Sequence, residues 1–328
     1  MDDCEPLDRW RPVLLPRPDR EPAGADIAVL AECRGERPLK SFGAADRARI
    51  ERARHDGLVA LAPPGHTDTG ARVLVISPHP DDAVLSLGAT LASARGMIVD
   101  VFSHETWSPR RFYAERPGLT ASTILDEERT SCLILGAEPV FLNFPDAPLR
   151  GIGPFSADTL GDLVPAVADA LREVVGDHHT IHAPLGIGGH VDHLICHRAT
   201  MLLVQDGTIA LHRLRFYEDL PYAAFSHHSP APTTGSPLTA EIRVASASET
   251  LAKTEAIRAY HVQLRTGMRS RVLAYGKALG KRGLLAERIW RYERVWRYER
   301  DGPDQPVTNP GDRDNLCSRP NAEQSLPP

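Results

Sequence analysis

Arg72-Val73-Leu74-Val75-Ile76-Ser77-Pro78-His79-Pro80-Asp81-Asp82 begins as a run of strand length, apolar at its four central positions. It ends in a proline-bounded turn that carries one histidine and two aspartates. A strand that is apolar at consecutive positions is buried on both faces, as in a parallel sheet covered by helices. Helical spacing follows over residues 83–95, and the unit then repeats. Strand patterns at 97–102, 140–144 and 180–183 alternate with helical patterns at 122–135, 157–175 and 193–204, and 213–217 reads as an added strand. The alternation predicts an α/β fold with a doubly wound, mostly parallel sheet and helices on both faces. Ligands in such sheets bind beyond the carboxyl ends of the strands, which is where the 78–82 turn lies.

The fourth strand pattern runs into a second cluster, Gly186-Ile187-Gly188-Gly189-His190-Val191-Asp192-His193. Both clusters follow strands and precede helices, so one sheet edge brings them together across about a hundred residues of chain. Imidazole nitrogen and carboxylate oxygen are good zinc ligands, and a catalytic zinc uses three of them and keeps an open position for water. Two ligands from one turn and a third from the other meet that number. A metal held in this way activates water and polarises an amide carbonyl. A spare carboxylate can then accept the proton of the water, and a spare histidine can stabilise the oxyanion or protonate the leaving amine.

His79-Pro80-Asp81-Asp82 after a hydrophobic strand, with His190-Val191-Asp192-His193 downstream, resembles the LmbE-like (PIG-L) family of zinc-dependent N-deacetylases. The resemblance covers about residues 71–265. It includes Phe144-Pro145-Asp146, the helix end at Leu135-Gly136 and the helix over 253–263. It implies a Rossmann-like fold and one zinc held by His79, Asp82 and His193. It further implies Asp81 as general base, His190 acting on the oxyanion and leaving group, and Asp192 orienting or charging that histidine. Asp146 matches a position that touches sugar hydroxyls in several members. The implied substrate is an N-acetylated (or otherwise N-acylated) glucosamine-type sugar, free or on a small conjugate. Iron(II) fits the same His-His-Asp donor set. Three positions depart from the family pattern: Ala83 stands where Glu is frequent and Val191 where Pro is frequent. Ile124 lies about where some members place a substrate-binding Arg, and Arg129 is the basic residue near enough to replace it.

Other residues invite a role. His104, just beyond the second strand, is expected to line the pocket. The loop from Glu105 to Tyr113 carries Trp107, Arg110, Arg111, Phe112 and Tyr113, a composition suited to sugar faces and anionic groups. His197 follows His193 by one helical turn and is expected to support the site from behind. His178, His179, His182, His227 and His228 are read as solvated or hydrogen-bonded histidines. Gly186–Gly189 lacks the GxGxxG spacing, so no dinucleotide is expected there.

The 328 residues are 42% hydrophobic and 25% charged with a formal net charge of −5, an ordinary globular balance. Acids and bases interleave without a basic stripe, so nucleic acid is not an expected partner. Five dispersed cysteines with no CxxC spacing argue for a reducing compartment and against a cysteine zinc cluster. No stretch approaches the roughly 20 apolar residues of a spanning helix. The acidic start Met1-Asp2-Asp3 lacks a secretory pattern, so a cytoplasmic location is expected. By composition, residues 1–70 read as a partly helical extension, 71–265 as the catalytic domain, 266–300 as a helical segment and 301–328 as a disordered tail. A helix is expected from Ser248 to residue 264, with Ser248 as its cap. Trp290-Arg291-Tyr292-Glu293-Arg294 recurs at Trp296-Arg297-Tyr298-Glu299-Arg300, a local duplication read as surface packing. Two other functions fit less well. An amidase of a thiol conjugate would release a larger fragment than acetate, and a non-catalytic carbohydrate-binding relative would not need the complete acid, base and ligand set.

Overall fold

The computed structural model describes residues 7–20, 26–64, 72–156, 163–178, 180–225 and 238–292. The tail over 301–328, the second copy of the duplicated segment, His179, His227 and His228 lie outside the described residues.

The chain opens with β1 (Arg11–Leu14), α1 (Ile27–Ala31), α2 (Ala44–His55) and β2 (Val59–Ala62), and β1 pairs antiparallel with β2. Val29, Leu30, Phe42, Ile50 and Val59 form a small core of their own beneath α2. β2 is buried at all four positions. One strand of a two-stranded ribbon can be buried so fully only when another body covers it. Here that body is α5 (Pro117–Leu135) and α8 (Ala247–Ile257) of the main domain.

The main domain begins with β3 (Arg72–Ser77), α3 (Asp82–Ala92) and β4 (Arg95–Asp100). It continues through α4 (Arg111–Ala114), α5, β5 (Glu138–Phe141), α6 (Leu163–Val175), β6 (Thr180–Pro184), α7 (Val191–Gln205) and β7 (Leu214–Tyr217). β8 (Leu238–Val244), α8, α9 (Thr266–Leu279) and β9 (Ala286–Tyr292) complete it. The sheet has seven strands in the order β5-β4-β3-β6-β7-β9-β8. Its first five strands are parallel, and β9 and β8 join antiparallel. Leu74, Val75 and Ile76 at its centre are fully buried, each stabilising the fold by about 1.5–3 kcal/mol. The expected α/β sheet with helices on both faces is therefore present. α5 starts with Pro at its first positions and ends at Gly136, whose φ of +67° lets it close the helix in a left-handed turn.

Successive strands run outward from β3 in one direction through β4 and β5, and in the other through β6 and β7. The order reverses between β3 and β6, so a crevice opens beyond their carboxyl ends. The two His/Asp clusters follow those two strands.

Of the segment 266–300 read as helical, the described residues give α9 over Thr266–Leu279 and no helix from 280 to 292. Residues 286–292 form β9, with Ile289 and Trp290 buried against the neighbouring strands. The sheet thus extends past residue 265, the expected end of the catalytic domain. The cap of α8 is Ser246 and not Ser248. Ser246 Oγ accepts from Glu249 N (3.2 Å) while Glu249 Oε2 accepts from Ser246 N (2.8 Å), a reciprocal capping box. α8 also stops at Ile257, which frees residues 258–264 to run irregularly over the pocket.

Candidate active site

β3 delivers the chain into a turn where Ser77 Oγ donates to His79 O (2.6 Å) and accepts from Ala83 N (3.2 Å). Asp82 opens α3 and accepts the His79 backbone N–H at Oδ2 (3.0 Å). Asp81 is held at φ +118°, a conformation that an L-residue rarely adopts. Such strain collects where a side chain must point into a site. From the other side of the crevice, α7 brings His190 as its N-cap, then Asp192 and His193 in its first turn. Gly188, at φ +88°, lets the preceding loop pass Tyr222, whose ring atoms would lie 2.8 Å from any Cβ added there.

Asp82 Oδ2 is 3.2 Å from His79 Nδ1 and 3.2 Å from His193 Nε2. Each imidazole is held at its other nitrogen by a different carboxylate. His79 Nε2 meets Asp192 Oδ2 at 3.0 Å, and His193 Nδ1 meets Asp219 Oδ1 at 2.6 Å. Those carboxylates draw the ring proton to the far nitrogen, so both rings turn a lone pair toward Asp82. His193 Nε2 is fully buried and has no hydrogen-bond partner. Three electron-rich atoms so close together need a positive charge between them. Ligands at zinc distances in a tetrahedral arrangement stand about 3.3 Å apart, which matches this spacing. With protons as the only compensation, burial lowers the His193 pKa, but Asp82 and Asp219 outweigh it and carry the ring up to about 9. Burial likewise opposes ionisation of Asp82, and His193 and His79 overcome it and hold the carboxyl well below its ordinary range. The donor set fits a divalent metal.

His190 has a different environment. One of its ring nitrogens comes within 4.8 Å of one nitrogen each of His79 and His193, yet its Nδ1 already accepts the Asp192 backbone N–H (3.3 Å). Burial, together with the neighbouring His79 and His193, lowers its pKa to about 3. A neutral ring whose Nδ1 accepts carries its proton on Nε2 and is a hydrogen-bond donor there. Burial, reinforced by Asp82 and Glu105, raises the Asp81 carboxyl well above its usual range.

The pocket above these groups has a volume of about 490 Å³, within the range of small-molecule sites. His79, Asp81, Asp82, His190, Asp146 and Trp107 all line it. Three expectations need correction. The Asp192 side chain does not bond the His190 ring, which only the Asp192 backbone N–H reaches; the carboxylate holds His79, and its Oδ1 accepts from Arg150 Nη2 at 2.6 Å. His104 is exposed and does not line the pocket, because successive side chains of an extended segment point to opposite sides and Glu105 takes the inward place. Arg129 is also outside: it is exposed, paired with Asp126 one turn earlier (2.9 Å) and stacked over Phe141. The place expected of a substrate-binding Arg is filled by Ile124, buried with Tyr113 and Val262. His197 is buried behind the site, bonded to Pro184 O (2.9 Å) and stacked on Phe216.

Sequence reasoning missed Asp219, which accepts the Gly186 and Ile187 N–H groups (2.8 and 2.9 Å) as well as holding His193. It follows strand β7 at the same sheet edge, so the rule that located the two His/Asp clusters also pointed to it.

Residues 74–204 match the PIG-L family, described as GlcNAc-PI de-N-acetylase. The chain is 39% identical over 167 residues to the 2'-N-acetylparomamine deacetylase of Streptomyces fradiae, an alignment taking in 46% of this chain and 58% of that protein. The chain thus spans somewhat over half the length of that curated relative. The crystal structure of the antimicrobial A40926 pseudoaglycone deacetylase superposes with a TM-score of 0.57 at 26% identity, over 67% of this chain and 96% of that one. A deacetylase of the teicoplanin biosynthesis pathway superposes with a TM-score of 0.57 at 25% identity, over 67% and 97% of the two chains. Both His/Asp clusters fall inside the matched residues 74–204, whereas Asp219, Gln263 and strands β8 and β9 lie beyond them. Among the described residues no helix is long and apolar enough to cross a membrane.

Proposed function

We propose that this protein is a zinc-dependent hydrolase that removes an N-acetyl group from an N-acetylglucosamine-type unit on a small conjugate. The observation that carries this reading is the convergence of His79 Nδ1 and His193 Nε2 on Asp82 Oδ2, at 3.2 Å each, on the floor of the pocket. His79, Asp82 and His193 would hold the metal, and iron(II) suits the same donors. When bound, the metal supplies a Lewis acid and lowers the pKa of water to about 7. Asp81 lines the pocket next to Asp82 and takes the proton of the attacking water. His190 donates from Nε2 to the carbonyl oxygen as charge develops on it, an interaction stronger in the transition state than in the bound amide. Asp81 returns the proton it took to the amide nitrogen as the C–N bond breaks, so the free amine and the carboxylic acid are the two products. The acyl group is assigned as acetyl because the relatives are deacetylases. Three buried free thiols, Cys33, Cys132 and Cys196, support a reducing, cytoplasmic setting.

Metal content and acetate release from a panel of N-acetylglucosamine conjugates test this, comparing wild type with Asp81→Asn. Wild type should carry about one zinc and free acetate, and the variant should keep the zinc while losing roughly 10²–10⁴-fold in rate. A wild-type protein that takes up no metal from a zinc-containing buffer overturns the reading.

A further inference from the structure

The loop after β5 is bonded to the catalytic helix by its main chain as well as its side chains. Ala147 N and Arg150 Nη2 donate to the Asp192 carboxylate (3.0 and 2.6 Å), and Pro154 O accepts Val191 N (2.7 Å). Val191 is the first residue of α7, where backbone N–H groups have no partner within the helix. The Pro154 carbonyl therefore caps α7. His190 precedes Val191 and Phe155 follows Pro154, so this one bond sets the two rings side by side. Their centroids lie 5.8 Å apart at 80°, and Phe155 also meets Tyr222 edge to face at 6.3 Å and 89°.

Phe155 is 61% exposed, more than any other large apolar side chain among the described residues, and it lines the pocket. A single exposed phenyl ring is ordinary on a protein surface. This one is fixed beside a residue that acts on the substrate. Tyr222, the other carbocyclic ring against His190 (6.1 Å), is packed on His193 (5.3 Å) and seated against Gly188. Of the two, Phe155 is the ring left open to the pocket.

The reaction itself says what covers that ring. His190 acts on the carbonyl oxygen, and the scissile nitrogen is bonded directly to a ring carbon of the sugar. The sugar that carries the amide therefore lies beside His190, whatever follows it in the conjugate. A gluco-configured pyranose turns its hydroxyls outward and keeps C–H groups on its two faces, an apolar surface that suits an aromatic ring.

We propose that Phe155 is a substrate-binding residue: the C–H face of the amide-bearing pyranose stacks on its ring, which sets the acetamido group at the angle His190 requires. The inference rests on the sugar deacetylase reading above and adds a requirement for a closed sugar ring at the amide nitrogen. An open-chain N-acetyl amine offers the same bond but no flat face, so Phe155 gives it no advantage. Covering about 60 Å² of the phenyl ring corresponds to about tenfold in affinity.

Two measurements on the full-length zinc-loaded protein test this, comparing wild type with Phe155→Ala and Phe155→Trp. Acetate release is followed from methyl N-acetyl-β-glucosaminide and from open-chain N-acetylglucosaminitol. Calorimetry with methyl β-glucosaminide, which lacks the acetyl group, reads binding without reaction. Phe155→Ala should weaken glucosaminide binding and raise KM for its N-acetyl form about tenfold, with less than about twofold change for the open-chain compound. Phe155→Trp restores a flat face and should stay within about threefold of wild type. Zinc content and melting temperature should match wild type in both variants, since an exposed ring contributes little to the fold. A Phe155→Ala variant that keeps wild-type binding and KM for the ring compound, or loses as much on the open-chain compound, overturns the role of Phe155. Acetate release by wild type would still support the deacetylase reading in that event. Weakened glucosaminide binding in Phe155→Ala, restored in Phe155→Trp, without acetate release by wild type from either compound would leave the Phe155 contact standing and remove the deacetylase reading.

Discussion

Asp192 Oδ2 lies 3.0 Å from His79 Nε2, across a separation of 113 residues. The same oxygen accepts the Ala147 N–H (3.0 Å), and Oδ1 receives Arg150. One fully buried carboxylate on the first turn of α7 therefore ties down the turn after β3 and the loop after β5. It fixes the tautomer of a histidine on the opposite side of the crevice, as carboxylates behind metal-bound histidines do.

Asp192→Asn should therefore weaken metal binding more than it disturbs the fold. The amide keeps an acceptor for Ala147 but no longer provides the charge that draws the His79 proton to Nε2. Zinc affinity, measured by competition with a chelator, should fall roughly 10- to 100-fold. Circular dichroism at the same time should show the helices intact. An unchanged affinity would mean that His79 is oriented without Asp192.

Arg129→Ala should change little. The side chain is exposed, and its partner Asp126 is exposed as well, so the pair is worth little. Stability should stay within about 0.5 kcal/mol and kcat/KM within about twofold. A loss beyond tenfold would put Arg129 back in the pocket.

The contrast between Arg129 and Glu105 shows where the sequence was readable. The two His/Asp clusters were legible because each follows an apolar strand, and strand ends of a parallel sheet share one edge. The pairings among them were not, because spacing says nothing about which carboxylate meets which ring. Asp192 lies two residues from His190 but holds His79. The outer strands were hidden for another reason. β8 is exposed or half-exposed at every position, Glu241 and Arg243 among them, and β9 contains Glu287, Arg288 and Arg291. Such runs lack the apolar pattern of β3, since an edge pair bonded through its backbone tolerates charges that have local partners.

Glu287 shows how one of those charges is accommodated, and it predicts an acid-labile element. α3 breaks at Leu87 (φ −124°, ψ +19°), and Glu287 receives the Ala89 and Thr90 N–H groups just beyond the break (2.8 and 2.9 Å). It also accepts Thr90 Oγ1 (2.6 Å) and Lys253 Nζ (2.8 Å). Burial opposes its ionisation, but Lys253 and Thr90 win and lower the pKa. A carboxyl whose pKa is lower in the folded state stabilises the protein above its unfolded value, near 4.3, and loses that contribution as pH falls through the folded value. Glu287→Gln should cost about 3–5 kcal/mol near pH 7 by leaving Lys253 buried without its counter-charge. The gap from wild type should narrow below about pH 4, read from denaturant melts across that range. A gap that stays constant with pH would assign the cost to lost shape and not to charge.

The last prediction concerns the N-terminal segment. His261 is buried between two acids, with Nδ1 2.5 Å from Glu127 Oε1 and Nε2 2.9 Å from Asp19 Oδ1. Tyr113 OH meets both Asp19 (3.0 Å) and His261 Nε2 (2.8 Å). Arg17, from the same segment as Asp19, reaches the Arg258 and Ala259 carbonyls (2.7 and 3.1 Å). All of these contacts converge on residues 258–264, the irregular stretch that presents Gln263 and Leu264 to the pocket. Asp19→Ala and His261→Ala should therefore act at a distance from the floor. KM should rise roughly three- to tenfold as Gln263 loses its fixed position, with kcat nearly unchanged because Asp81 and His190 stay in place. His261→Ala should also lower stability by about 1–3 kcal/mol, since Glu127 loses a charge-assisted partner while buried. Steady-state kinetics beside thermal melts separate the two effects. A fall in kcat at constant KM would show instead that the N-terminal segment supports the catalytic floor and not the pocket wall.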